Sequence, residues 1–136
     1  QIDLTFNSNH IEGSKLTIEQ TRYIFPKIVA KEIKKLIDWY NSLSLITFDD
    51  ILDFHYKFEM IHPFQDGNGR VGRLIMFKEC LKHNIVPFII DDNLKLFYYL
   101  GLNEWKNEKG YLRDTCLTAQ DKFKTWLDYF QIPYKN

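Results

Sequence analysis

The feature that most constrains this chain is a polar segment of twelve residues, His62–Arg73, between two helical patterns. Apolar residues recur at helical spacing up to Ile61, and a second helical pattern begins at Leu74. The segment itself carries a histidine, an aspartate, an asparagine, three glycines and two arginines. We predict a loop whose second half forms the N-terminus of the next helix. Backbone N–H groups are unpaired there and bind anions.

Helical periodicity also dominates the rest of the chain. We predict helices over 17–25, from Pro26 to about Tyr40, from Thr47 or Asp49 to Ile61, from the polar segment to about Lys82, from Asp92 to about Lys106 and from Leu112 to Phe130. Only residues 85–90 could form a strand, and no second run could pair with them. The predicted fold class is therefore all-α.

Composition limits the class of protein. The 136 residues predict one domain, with residues 8–25 as an N-terminal helical region and 26–136 as the core. A net charge of zero does not favour nucleic acid as a partner, and no apolar run predicts a membrane span. Cys80 and Cys116 match no metal spacing, which favours buried thiols in a reducing compartment, and we expect the cytoplasm. Since residue 1 is not Met, we expect a fragment or a processed product.

The polar segment combines groups suited to phosphate chemistry. His62 can accept a proton near neutral pH, and Asp66 supplies the hard oxygen that Mg²⁺ prefers. The run Gly67–Gly69 can form a nest of N–H donors, and Arg70 and Arg73 lie three positions apart at a helix start. Each feature alone has an ordinary explanation, such as a surface histidine, a turn or a solvated arginine. Their coincidence favours phosphoryl or nucleotidyl transfer.

The segment resembles the signature of the Fic domain family, His-Pro-Phe-x-Asp-Gly-Asn-Gly-Arg-x-x-Arg, and every specified position is present. The resemblance covers residues 8–129. It implies an all-α helical bundle with the active-site loop between two central helices. It also implies transfer of AMP from ATP to a protein hydroxyl, with Mg²⁺. Lysine replaces Gly69 in toxin relatives that phosphorylate their targets, so the resemblance disfavours a kinase.

The resemblance also implies roles for the individual residues. His62 would deprotonate the target hydroxyl, which attacks the α-phosphorus, and Asp66 would hold Mg²⁺ between the α- and β-phosphates. Phe64 would be a buried apolar anchor. The remaining positions would bind the phosphates: Gly67, Asn68 and Gly69 the phosphate oxygens, Arg70 the β-phosphate region and Arg73 the γ-phosphate.

A second, shorter match lies near the N-terminus, where Ser8-x-x-x-Glu12-Gly13 is similar to the inhibitory motif of the same family. The match implies that Glu12 pairs with Arg73 and blocks the γ-phosphate. The spacing of Asn9 and Glu12 also suits a helix cap, so a structural role stays open. In some relatives this glutamate positions water that removes AMP from the target, which keeps the reverse reaction open.

Two further expectations concern substrates. Phe97, Leu100 and Glu104 share a helix face at the place where relatives contact adenine, although core packing explains the first two equally well. Relatives carry several dozen more residues, including a β-hairpin flap, where Phe25 meets Pro26 here, and we expect that the complete protein has them. The expected partner is a protein with a hydroxyl side chain; self-modification, a homo-oligomer and an idle ATP-sensing module stay open.

Overall fold

The computed structural model describes residues 18–135, with side chains from Pro26 onward. Within that range the chain forms helices and connecting segments without a strand, which confirms the predicted all-α fold class. The helices are α1 (Ile18–Asn41), α2 (Phe48–Ile61), α3 (Asn68–Lys82), α4 (Lys95–Glu104) and α5 (Gly110–Tyr129).

The prediction that one helix ends at Phe25 and another begins at Pro26 is wrong. Helix α1 runs through this point, with Pro26 inside it. The ring of Pro26 removes one backbone donor and disfavours the helical conformation of the residue before it. These costs fall on a few residues, whereas the hydrogen bonds of the flanking turns continue on both sides, so a proline alone does not fix a helix boundary.

Helix α2 begins as its sequence predicts. The Oγ1 of Thr47 accepts a hydrogen bond from the N–H of Asp50 at 3.1 Å, and Oδ2 of Asp50 accepts one from the N–H of Thr47 at 2.9 Å. This reciprocal pair is a capping box. The start of α4 differs slightly from its prediction, because the N-cap is Leu94. Oδ1 of Asp91 accepts a hydrogen bond from the N–H of Leu94 at 3.2 Å, before the first residue of the helix.

The described chain divides into two compact units. The first unit comprises residues 18–45 and Lys57–Gly72, and the second comprises Ile46–Tyr56 and residues 73–135. Helices α2 and α3 each contribute residues to both units. The residues of the polar loop as far as Gly72 belong to the first unit, whereas Arg73 belongs to the second.

The first unit buries the side chains of Leu36 and Tyr40 from α1 and of Phe58 from α2. The ammonium group of Lys57 lies 3.6 Å from the centre of the Trp39 ring. A cation over an indole face in this range is attracted by the ring quadrupole. These contacts support the end of α2, from which the polar loop departs.

The second unit has the larger core. Burying a large apolar side chain contributes about 1.5–3 kcal/mol, and the buried cluster is formed by Ile51, Leu52, Tyr56, Met76, Cys80, Phe88, Tyr98, Leu102, Trp105, Leu112, Cys116 and Ala119. Helices α4 and α5 touch where Gly101 meets Leu112. A Cβ on Gly101 would lie 2.6 Å from the Cα of Leu112, so only glycine allows this approach.

The cysteines are free and buried, as the sequence predicts. Burial raises the pKa of Cys80 to about 12 and raises the pKa of Cys116 as well, so both thiols are inert at neutral pH. Across the described residues, each helix is too short or too polar to cross a membrane.

Candidate functional site

The polar loop begins where α2 ends. The N–H of His62 still donates to the carbonyl of Phe58 at 3.1 Å, but His62 itself adopts a φ of +53°. This left-handed conformation is uncommon for a residue with a side chain and costs of order 1 kcal/mol. It turns the chain sharply out of the helix, and the imidazole is exposed.

An amide side chain holds the loop closed. Oδ1 of Asn68 accepts a hydrogen bond from the N–H of Phe64 at 2.7 Å, and Nδ2 of Asn68 donates to the carbonyl of Phe64 at 2.6 Å. Asn68 is buried, so this pair satisfies two backbone groups that would otherwise lose their partners. The carboxamide is therefore committed to the loop, and Asn68 can offer a ligand its backbone N–H.

The next helix starts at a glycine with a left-handed backbone. Gly67 has a φ of +78°, and its carbonyl accepts the first helical hydrogen bond of α3, from Val71 at 2.9 Å. The N–H groups of the residues between them belong to the first turn of the helix and have no partner inside it. Because the helix dipole is also positive there, this end of α3 suits an anion.

Three charged or ionisable side chains of the loop are exposed: His62, Asp66 and Arg70. Among the described residues, none of these three side chains has a hydrogen-bond or ion-pair partner. The side chain of Arg70 folds back toward Gly67: a Cβ added at Gly67 would lie 3.0 Å from Nη2 of Arg70. A base, a carboxylate and a guanidinium are thus available to a ligand at the start of α3.

The prediction that Phe64 is buried is wrong, because 46% of its surface is exposed. Its ring packs against the ring of Phe58, with centroids 6.3 Å apart. The neighbouring Gln65 is the buried residue, at 3% exposure, and neither polar atom of its carboxamide has a hydrogen-bond partner in the described chain. The sequence did not single out Gln65, since it occupies the unspecified position of the motif.

Arg73 has a partner within the second unit. Its Cζ lies 5.6 Å from the centre of the Tyr98 ring, within the range of a cation–π contact. The hydroxyl of Tyr98 lies 2.5 Å from Nε2 of His55, and both residues are only 1% exposed. Tyr98 could not be singled out from the sequence, because a tyrosine in an apolar helix resembles any core residue.

The remaining predicted site residues fall in different places. Leu100 lies on α4 and is 47% exposed, and Phe97 is exposed too, so core packing does not account for either. Their role toward adenine stays a prediction. Ser8 and Glu12 lie outside the described residues.

Few of the described side chains could hold a metal ion. No cluster of three or more His, Cys, Asp or Glu side chains occurs in the part of the chain that the structure describes. Asp66 is exposed, and its carboxylate has no competing cation among those residues. A single carboxylate fits Mg²⁺, which keeps several waters and takes other oxygens from substrate phosphates, better than a metal that needs a full protein cage.

Comparison with known proteins agrees with the resemblance seen in the motif. A family model described as the Fic/DOC family matches residues 6–80, which include the whole polar segment. Two relatives named protein adenylyltransferase fic-1, from Caenorhabditis elegans and Caenorhabditis briggsae, are 30% and 29% identical over 105 residues, which is 71% of this chain and 21% of each relative. Protein adenylyltransferase Fic of Nematostella vectensis is 36% identical over 84 residues, 58% of this chain and 19% of the relative. The chain thus spans about a fifth of the length of these curated relatives.

Proposed function

This chain belongs to the Fic/DOC family, and on that premise we propose that it is a protein adenylyltransferase, which transfers AMP from ATP to a hydroxyl side chain of a target protein. The names of its relatives support this activity. The observation that carries the proposal is the set of exposed His62, Asp66 and Arg70 around the first turn of α3, none of them paired with another described side chain.

The proposed reaction assigns the proton to His62. Its imidazole takes the proton of the target Ser, Thr or Tyr hydroxyl while the hydroxyl oxygen forms a bond to the α-phosphorus of ATP. The bond between the α-phosphorus and the bridging oxygen of the β-phosphate breaks, and pyrophosphate leaves. A positioned base of this kind contributes about 10²–10⁴-fold to the rate. The exposure of His62 supports its access to a protein hydroxyl.

The loop and α3 are proposed to bind the phosphates. The backbone N–H groups of Gly67, Asn68 and Gly69 and the guanidinium of Arg70 are proposed to stabilise the negative charge of the phosphates. This stabilisation is the main contribution that a protein makes to phosphate transfer. Arg73 is proposed to bind the γ-phosphate, and Leu100 to contact adenine. Mg²⁺, held by Asp66 and the phosphates, would supply further charge neutralisation.

Labelled ATP tests this proposal. With Mg²⁺, ATP labelled at the α-phosphate is expected to label protein, either the chain itself or proteins of an added lysate, whereas ATP labelled at the γ-phosphate is not. His62→Ala should lose at least a hundredfold of the rate. His83→Ala is the matched control, since His83 lies near Glu79 (3.5 Å) and is not part of the loop. Label from the γ-phosphate, or equal labelling by His62→Ala, would refute the proposal.

We further propose that Glu12 inhibits this activity, with Ser8 as the other specified position of its motif. A carboxylate that pairs with Arg73 would occupy the group that the γ-phosphate needs. Glu12→Gly is expected to raise labelling in the same assay. If a folded Glu12→Gly variant labels no faster than the wild type, the inhibitory role is excluded, while the proposal for His62 stands on its own test.

A further inference from the structure

We propose that Tyr98 is a positioning residue for Arg73, and that the buried hydrogen bond between Tyr98 and His55 keeps it in place. The inference rests on the proposed function, in which Arg73 binds the terminal phosphate of ATP. All three residues belong to the second unit, and they come from three helices: His55 from α2, Arg73 from α3 and Tyr98 from α4.

The ring of Tyr98 is a fixed surface. Tyr98 is only 1% exposed, and it also packs against the ring of Tyr99, with centroids 5.3 Å apart. Its hydroxyl is held at 2.5 Å by Nε2 of His55, which is equally buried. A buried hydroxyl without a partner would cost free energy, so this contact favours one orientation of the ring.

The guanidinium of Arg73 lies over the face of the Tyr98 ring. An arginine side chain has several rotatable bonds, and a ligand that must order them loses affinity. With Cζ 5.6 Å from the ring centre, the guanidinium is attracted to the ring, yet its N–H groups remain able to donate at the edge. Tyr98 therefore lowers the entropy cost when Arg73 binds a terminal phosphate.

The preference for ATP over ADP measures this effect, because the γ-phosphate is what distinguishes the two. We would measure the Kd values of both nucleotides with Mg²⁺, using the Glu12→Gly background so that Glu12 cannot occupy Arg73. In that background Arg73→Ala should remove the preference. Tyr98→Leu should reduce it by roughly three- to tenfold. Tyr98→Phe, which keeps the ring but loses the hydrogen bond to His55, should reduce it by a smaller factor.

A buried tyrosine elsewhere in the same core provides the control. Tyr56→Leu is expected to destabilise the fold but to leave the ratio of the two Kd values unchanged, because loss of folded protein weakens the binding of both nucleotides alike. If Arg73→Ala removes the preference and folded Tyr98→Leu keeps it, the positioning role is wrong. If Arg73→Ala itself keeps the preference, the role proposed for Arg73 fails, and the inference fails with it.

A second measurement uses the unaltered Tyr98 and so does not depend on the folding of a variant. The Nε–Hε signal of Arg73 in an NMR spectrum, assigned through Arg73→Lys, should be shifted upfield by the ring of Tyr98. The shift should be smaller in Tyr98→Phe, because that ring lacks the hydrogen bond to His55. A signal at the position of an exposed arginine would show that the guanidinium does not lie over the ring and would overturn the proposal.

Discussion

The polar loop and the second unit use the same kinds of side chain in opposite ways. In the second unit, Arg113 donates two hydrogen bonds to Asp49, at 2.9 and 2.6 Å, and the indole N–H of Trp105 donates one to Asp53 at 2.9 Å. In the loop, Asp66 and Arg70 have no such partners in the described chain. Paired groups hold a fold together, whereas unpaired ones are available to a ligand.

The buried glycine where α4 meets α5, Gly101, gives the largest expected change in stability. Gly101→Ala would place a Cβ 2.6–2.8 Å from backbone and Cβ atoms of Leu112. Although alanine favours a helix, we expect this overpacking to cost about 3 kcal/mol of the free energy of unfolding, measured with urea. Gly110→Ala is the control, since its Cβ would meet only the flexible end of Glu108 and should cost less than about 1 kcal/mol.

The amide that closes the loop gives the next largest effect. Asn68→Ala removes both hydrogen bonds to the backbone of Phe64, so we expect a loss of about 2 kcal/mol in the free energy of unfolding. ATP should also bind more weakly, because the N–H groups around Gly67 lose their fixed arrangement. Asn103→Ala, on an exposed position of α4, is the control. A loop variant as stable as this control would show that the amide pair is dispensable.

Two buried glutamines, Gln65 in the first unit and Gln120 in the second, extend the comparison. Gln65 has no hydrogen-bond partner in the described chain, whereas Nε2 of Gln120 donates to the carbonyl of Val86 at 2.8 Å. Methionine fills nearly the same space without polar ends. We expect Gln65→Met to raise the free energy of unfolding by about 1 kcal/mol and Gln120→Met to lower it by a similar amount. If both substitutions changed the free energy of unfolding in the same direction, the difference between the polar loop and the second unit would be contradicted.

The ion pair of the second unit gives the smallest effect. The hydrogen bonds from Arg113 hold the pKa of Asp49 below its usual value. Its stabilising contribution is therefore present above the unfolded pKa, near 3.9, and is lost as the pH falls through the lower folded pKa. Because both side chains are partly exposed, Asp49→Asn should cost only about 0.5 kcal/mol at pH 7. A cost that persists unchanged at pH 2 would exclude this origin.

The sequence was sufficient for the parts of the structure that depend on local patterns. Periodicity placed the ends of α2 near Thr47 and Ile61, and the glycines and charges located the loop. It was not sufficient where three-dimensional contacts decide. Pro26 lies inside a helix, Phe64 is exposed while Gln65 is buried, and Tyr98 meets Arg73 across 25 positions of sequence. These depend on which neighbours approach in space, and no spacing rule predicts them.

Two arginines test the central claim most directly, because one is unpaired in the loop and the other is paired in the second unit. For Arg70→Ala and Arg113→Ala, both the free energy of unfolding and the Kd of ATP with Mg²⁺ would be measured, in the Glu12→Gly background. We predict that Arg70→Ala weakens ATP binding by roughly ten- to a hundredfold with little change in stability. Arg113→Ala should lower stability by about 0.5–1 kcal/mol and leave the Kd unchanged. The account would be contradicted if Arg70→Ala bound ATP as tightly as the background does. It would also be contradicted if Arg113→Ala bound ATP more weakly without any loss of stability.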